Sequence, residues 1–313
     1  MDGSHNITEQ RNPNTRTIDT VSTLDMMKLL NAEDKLVPLA VEAELTAIAR
    51  AVEIISDAMR SNGRLIYIGA GTSGRIGVLD ASEVSSSYGL EEGRIIAFVA
   101  GGQDALTKSL SGAQDDKAMG IEELKAIGFS EKDVILGISS SGSTPYVTGA
   151  LDYARRLGSS TISLTSTRES ESSQIADVTI STVVGPEAIA GSTRMKSASA
   201  HKMVLNMIST GVMVKLGKVF ENLMIEVAPT NYKLTLRRTR IVCEACSTDE
   251  VSAQDLINSA DGDIKLAIIL GLTDYSIEEA RRILEHHMGD LRKALDDKTF
   301  FSNNKPANPP IFE

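Results

Sequence analysis

The chain has 313 residues, 42% hydrophobic and 24% charged, enough to bury one large core and a smaller one. Its net charge of −10 excludes a broad basic face for nucleic acid or anionic lipid, so any bound phosphate must be caught locally by amides and hydroxyls. No run of about 18 apolar residues is present, and the polar first 19 residues lack a signal peptide's apolar segment. A cytoplasmic protein without membrane contact is therefore expected.

Residues 1–20 read as an irregular arm. Apolar residues then recur at helical spacing from Thr23 to about Arg60, with Pro38 suited to a first helical turn. Five short apolar runs follow: Arg64–Ala70, Ile95–Ala100, Asp133–Ser139, Ser160–Ser166 and Asp177–Thr182. Helical patterns at Arg75–Ser86, Ala105–Ile127 and Thr144–Leu157 separate most of them. Strands alternating with helices predict an α/β fold with a five-stranded parallel sheet, and near-continuous apolar runs predict strands covered on both faces. A long helix is predicted from Thr193 to about Leu216, further helix over 221–248, and three short helices between Thr248 and Leu295. The tail Ser302–Pro310 reads as disordered. Cys243 and Cys246 form a CxxC without the second ligand pair of a structural zinc site, and read as two small helix residues.

Three segments carry chemistry. Gly69–Arg75 (GAGTSGR) follows the first strand and opens a helix. Gly71 lets the backbone approach a ligand, Thr72 and Ser73 supply hydroxyls, and the helix start offers free amides. Gly69, Gly71 and Gly74 match the dinucleotide fingerprint, but Gly101–Asp104 after the second strand lacks a clear ribose-binding acid. Ser139–Thr144 repeats the plan after the third strand, with Ser139, Ser140, Ser141, Ser143 and Thr144 as hydroxyl donors. Two such loops at the carboxyl ends of parallel strands converge on one crevice, which suits an anionic ligand. The third segment, Pro186–Lys202, carries Glu187, Ser192 and Thr193. Its Arg194 and Lys196 sit in a helix first turn, where cations oppose the dipole. They read as an anion contact, an interface or solvated surface charge. By spacing alone Glu83 is an exposed helix residue, and Asp115 and Asp116 are an acid pair opening a helix. His201, His286 and His287 show no metal spacing and read as surface or core residues.

These loops resemble the sugar isomerase (SIS) domain. With ITEQRNPNT, NAEDKLVPLAVE, RLIYIGAGTSGRIGVLDASE, STRMKSASAHKMVLNMISTG and KVFENLMIEV, the chain resembles the N-acetylmuramic acid 6-phosphate etherase family from about Ile7 to Leu295. That family shares its sugar-phosphate loops with the animal glucokinase regulatory protein. The resemblance implies a flavodoxin-like sheet and a homodimer with its site near the subunit interface. It also implies an arm with helices over 1–53, a sugar-phosphate domain over 54–217, a helical linker over 218–247, a three-helix ubiquitin-associated-like domain over 248–297 and a flexible tail over 298–313. The implied reaction is elimination of the D-lactyl ether followed by hydration, with no cofactor and a small sugar phosphate as substrate. It carries the general acid onto Glu83. The family's second catalytic Glu falls on Gln114, with Asp115 beside it as a substitute. Ser143 stands where the family has Arg, and Val84-Ser85-Ser86 where it has Cys-Pro-Pro. Three accounts stay open: an etherase with a substitute base, a lyase for another phosphosugar, or a binding regulator.

Overall fold

The computed structural model describes residues 7–110, 112–226 and 232–300. The expected tail over 298–313 and the first residues of the expected arm fall largely outside them. All five expected strands form: β1 (Leu65–Gly69), β2 (Ile95–Val99), β3 (Val134–Ile138), β4 (Ser160–Thr165) and β5 (Val178–Ser181). They are parallel, in the order β2-β1-β3-β4-β5. Leu65 pairs with Ile95 and Val134, and Gly69 with Val99 and Ile138. Every residue of β1 and β3 is buried, as strands covered on both faces require. The strand order reverses between β1 and β3, which opens a crevice at their carboxyl ends.

Helices α1 (Thr23–Asp34), α2 (Val37–Glu42) and α3 (Leu45–Arg60) precede the sheet. Ser22 caps α1 by accepting the Asp25 N–H, and Pro38 occupies the first turn of α2. One sheet face carries α4 (Gly71–Ser87), where Gly77 lies against the Tyr67 and Ile138 side chains. The other carries α5 (Lys117–Ala126) and α6 (Pro145–Arg156), which bury Leu124, Val147 and Leu151 with Ile66, Ile68 and Ile135. The short α7 (Glu171–Ile175) follows β4, and α8 (Lys196–Lys215) follows β5. The chain divides into two compact units, residues 1–86 with 90–212, and residues 87–89 with 213–313.

Three expectations are corrected. The helix expected over 105–127 is broken into 3-10 turns at Gly102–Leu106 and Ala113–Asp115, with α5 starting only at Lys117. Gly112 takes φ +82 there, a left-handed conformation that a helix interior excludes. The stretch expected as helix over 221–248 opens with an antiparallel pair, β6 (Val219–Phe220) and β7 (Leu223–Met224), before α9 (Tyr232–Cys246). The three C-terminal helices are four: α10 (Glu250–Ser259), α11 (Ile264–Leu272), α12 (Ile277–His286) and α13 (Leu291–Asp296). Left-handed Met288 and Gly289 divide the last two, and the Asp290 side chain caps the new start. With α9 these helices share a core of Val242, Ala253, Ile268, Ile283 and Leu291.

Candidate active site

The sheet's carboxyl edge carries the hydroxyl-rich loops. After β1 the chain enters α4 within two residues, with Thr72 and Ser73 half-buried in its first turn. A Cβ on Gly74 would lie 2.5 Å from the Gly69 carbonyl oxygen and 2.7 Å from Val99 Cγ2, so only glycine lets the helix start this close to the sheet.

The loop after β3 is pre-shaped by its own side chains. Ser139 Oγ lies 2.8 Å from Thr144 Oγ1 and accepts the Gly142 N–H at 3.0 Å. Ser141 Oγ accepts the Ser143 N–H at 3.3 Å and the Ser143 hydroxyl at 3.0 Å. The Ser140 carbonyl ties the loop to β4 by accepting the Ser166 N–H at 3.0 Å. Gly142 takes φ +67, and a Cβ there would meet Ser170 Oγ at 2.3 Å. Thr144 holds the N-cap position of α6, yet no side chain caps that helix. The amino ends of α4 and α6 therefore reach the β1–β3 crevice flanked by hydroxyls. Helix amino ends beside hydroxyls are an arrangement that can accept a phosphate group.

The loop after β5 is braced from behind. Glu187 is fully buried, and its carboxylate accepts the Lys196 N–H at 3.0 Å and the Ser197 N–H at 2.9 Å. Both oxygens cap α8, so Glu187, expected as a substrate contact, also shapes the loop. Ser192 and Thr193 are half-buried on the same loop, and Arg194 is exposed. Lys196 is neither surface charge nor ligand contact: it is buried, with Nζ 2.6 Å from Glu33 Oε2. Glu33 also accepts from Asn12 Nδ2 at 2.7 Å and Asn14 Nδ2 at 3.0 Å. Asn12 reaches on to the Pro186 carbonyl at 2.9 Å, Thr15 to the Ala188 carbonyl at 2.7 Å, and the Gly191 N–H to the Thr8 carbonyl at 3.1 Å. Residues 8–15 thus strap the loop that carries Ser192 and Thr193. These strap contacts join segments far apart in sequence and carry no local spacing signal.

The two positions expected from the sequence to serve as acid and base lie on different elements. Gln114 and Asp115 sit in the 3-10 turn Ala113–Asp115, which packs against α6, while Asp116 caps α5 through the Ala118 and Met119 N–H groups. Since β3 runs toward the carboxyl edge, the start of α5, and this turn with it, lies on the same side as the hydroxyl loops. Glu83 lies twelve residues down α4 from Gly71, about 18 Å along the axis. It is exposed, on the stripe that also exposes Leu79. One turn earlier, buried Asp80 accepts the Tyr67 hydroxyl at 3.0 Å and the Ser209 hydroxyl at 3.1 Å. Burial raises the Asp80 pKa above the usual carboxylate range despite these donors. His201 is fully buried with Nε2 3.2 Å from Ser166 Oγ, and burial pushes its pKa down to about 4.

Residues 47–155 match the glucokinase regulatory protein N-terminal SIS domain, and residues 126–211 match the SIS domain. The chain is 50% identical to the N-acetylmuramic acid 6-phosphate etherase of Pectobacterium atrosepticum over 92% of this chain and 95% of that one. It is 48% identical to the enzyme of that name from Vibrio atlanticus, over 94% and 96% of the two chains. It is 49% identical to that from Yersinia pestis, over 92% and 98%. The likeness therefore runs through both compact units and is not confined to the hydroxyl loops.

Proposed function

Since the chain belongs to the N-acetylmuramic acid 6-phosphate etherase family, we propose that it is a carbon–oxygen lyase that releases D-lactate from that phosphosugar and leaves N-acetylglucosamine 6-phosphate. The observation that carries this reading is the near full-length likeness at about half identity. The hydroxyl loops alone would suit many sugar phosphates. Thr72, Ser73, Ser139, Ser140, Ser141, Ser143 and Thr144 hold the phosphosugar at the amino ends of α4 and α6, with Ser192 and Thr193 closing one side. The open-chain aldehyde acidifies the C2 proton. A base removes it while Glu83 protonates the departing lactyl oxygen, and water then adds across the double bond.

Two copies of the chain complete the site. Glu83 lies about 18 Å down α4 from the phosphate loop of its own chain, too far for a single hexose to touch both. Its stripe exposes Leu79 at 43%, and α8 exposes Met207 at 38%, apolar surface that a second copy would cover. A partner seated there would bring Glu83 to the other copy's loops and desolvate it, the environment a general acid needs. The protein works in the cytoplasm.

Gln114 cannot take the C2 proton. Asp116 is committed to capping α5, which leaves Asp115 as the carboxylate of that turn able to act as base. The test is D-lactate release from N-acetylmuramic acid 6-phosphate. The unmodified chain is expected to release it, Asp115→Asn to abolish release, and Gln114→Glu to raise the rate by about 10²–10⁴-fold. Silence from the unmodified chain and Gln114→Glu alike, with the phosphosugar still bound, would sink the lyase reading.

A further inference from the structure

We propose that His286, His287 and Asp297 form a binding site for a borderline divalent cation of the Zn²⁺ type. One ligand atom from each of the three residues lies within 4.8 Å of the other two. His287 Nε2 stands 3.1 Å from Asp297 Oδ2, close to the edge of about 3.3 Å between two donors bound to one tetrahedral zinc. The His286 and His287 rings are nearly perpendicular at 86°, with centroids 4.9 Å apart. Two imidazoles on one tetrahedral ion hold their centroids at about 5 Å, so this pair is already spaced to share one. An ordinary His287–Asp297 ion pair does not need the second ring there.

Sequence spacing hid this cluster. Two adjacent histidines have no metal pattern, and the third donor lies ten residues on. The left-handed turn at Met288-Gly289 redirects the chain between α12 and α13, and Asp297 ends beside His287. His286 ends α12, His287 is its C-cap, and Asp297 is the C-cap of α13. The His286 ring also lies 4.9 Å from that of Phe300, which limits its swing. Bound there, the ion would tie the carboxyl end of α12 to that of α13. Two imidazoles with one carboxylate suit zinc, whereas calcium and magnesium prefer all-oxygen shells. Three protein ligands leave a fourth position for water. The site lies within residues 213–313 and does not depend on the proposed reaction.

The test uses the full chain, stripped with chelator and titrated with Zn²⁺ by calorimetry, with thermal unfolding in parallel. One zinc per chain and a raised Tm are expected for the unmodified protein. His286→Ala, His287→Ala and Asp297→Asn should each weaken binding by on the order of tenfold or more and remove the Tm rise. His286 is exposed, so His286→Ala keeps the fold and is the decisive variant. Absence of binding at millimolar Zn²⁺ would overturn the proposal. So would binding that survives His286→Ala and His287→Ala but is lost in Cys243→Ser, which would put the ion on the cysteine pair.

Discussion

Replacing Lys196 by Met should destabilise the larger unit by about 3 kcal/mol. The Lys196 and Glu33 side chains are only 1% and 5% exposed, and their charges meet at 2.6 Å. Removing one partner of a buried pair typically costs about 3–5 kcal/mol, because the other charge stays in a poorly solvating site. Glu33 would keep its Asn12 and Asn14 donors, which places the cost at the lower end. Adding Glu33→Gln removes the stranded charge and should recover more than half of the loss. Urea unfolding followed by circular dichroism at pH 7 measures all three chains. Burial acts to raise the Glu33 pKa, but the hydrogen bonds from Lys196, Asn14 and Asn12 outweigh it and leave it lowered. A lowered carboxyl pKa stabilises the fold above the unfolded value, about 4.3, and that contribution is lost as pH falls through the folded value. The gap between unmodified protein and Lys196→Met should therefore close in acid. A loss under about 1 kcal/mol at pH 7, or a double variant no better than the single one, would refute the stranded-charge argument.

Gly74→Ala should cost about 1–3 kcal/mol, because its Cβ meets the Gly69 carbonyl oxygen and Val99 with no room to yield, and should weaken N-acetylglucosamine 6-phosphate binding in calorimetry. Full stability and affinity would contradict the steric reading of the loop. His201 is neutral when buried, with a folded pKa of about 4 against about 6.5 unfolded. Only the unfolded chain gains its proton between those values, so stability should fall by about 3 kcal/mol on acidification from about pH 6.5 to about pH 4. His201→Gln should remove that part of the slope in urea titrations, and an unchanged slope would exclude it. Tyr67→Phe takes one of two donors from buried Asp80 and should cost about 1–2 kcal/mol, a loss that Asp80→Asn in the same chain should largely suppress.

The sheet was legible because its strands are short apolar runs bounded by Gly, Ser and Thr, and buried parallel strands need no alternation. The hydroxyl loops were legible because each follows a strand and opens a helix. Helix breaks were harder. Nothing in the apolar spacing of 105–127 marks the left-handed Gly112; Gly289 punctuates the run from Ser276 to Leu295, but the helical periodicity continues across it and hides that a helix ends there. The strap over the β5 loop was illegible for a different reason. Its contacts join Asn12, Asn14 and Glu33 to Lys196 and the 186–191 backbone, and a pattern read along the chain carries no trace of partners so far apart. The dipole argument did flag Lys196 as misplaced for a surface cation. It lacked only the carboxylate that Glu33 supplies.

The two departures near the crevice bear on each other. On the family resemblance read from the sequence, Gln114 stands where a carboxylate of nearly the same shape is expected and Ser143 where a guanidinium is expected. The pair loses one negative and one positive charge, so the net charge offered to an anionic sugar is unchanged. Binding should survive such a change better than proton transfer, since the loop hydroxyls and helix amino ends that we assign to the phosphate are all present. The turn that bears Gln114 packs against α6, and Ser143 lies just ahead of that helix. A carboxylate restored by Gln114→Glu alone would face a loop without its cation, and a carboxylate beside a guanidinium ionises more readily than one without. Gln114→Glu with Ser143→Arg should therefore release D-lactate at a lower pH optimum than Gln114→Glu alone. Equal pH profiles for the two would mean that Arg acts on the substrate and not on the base.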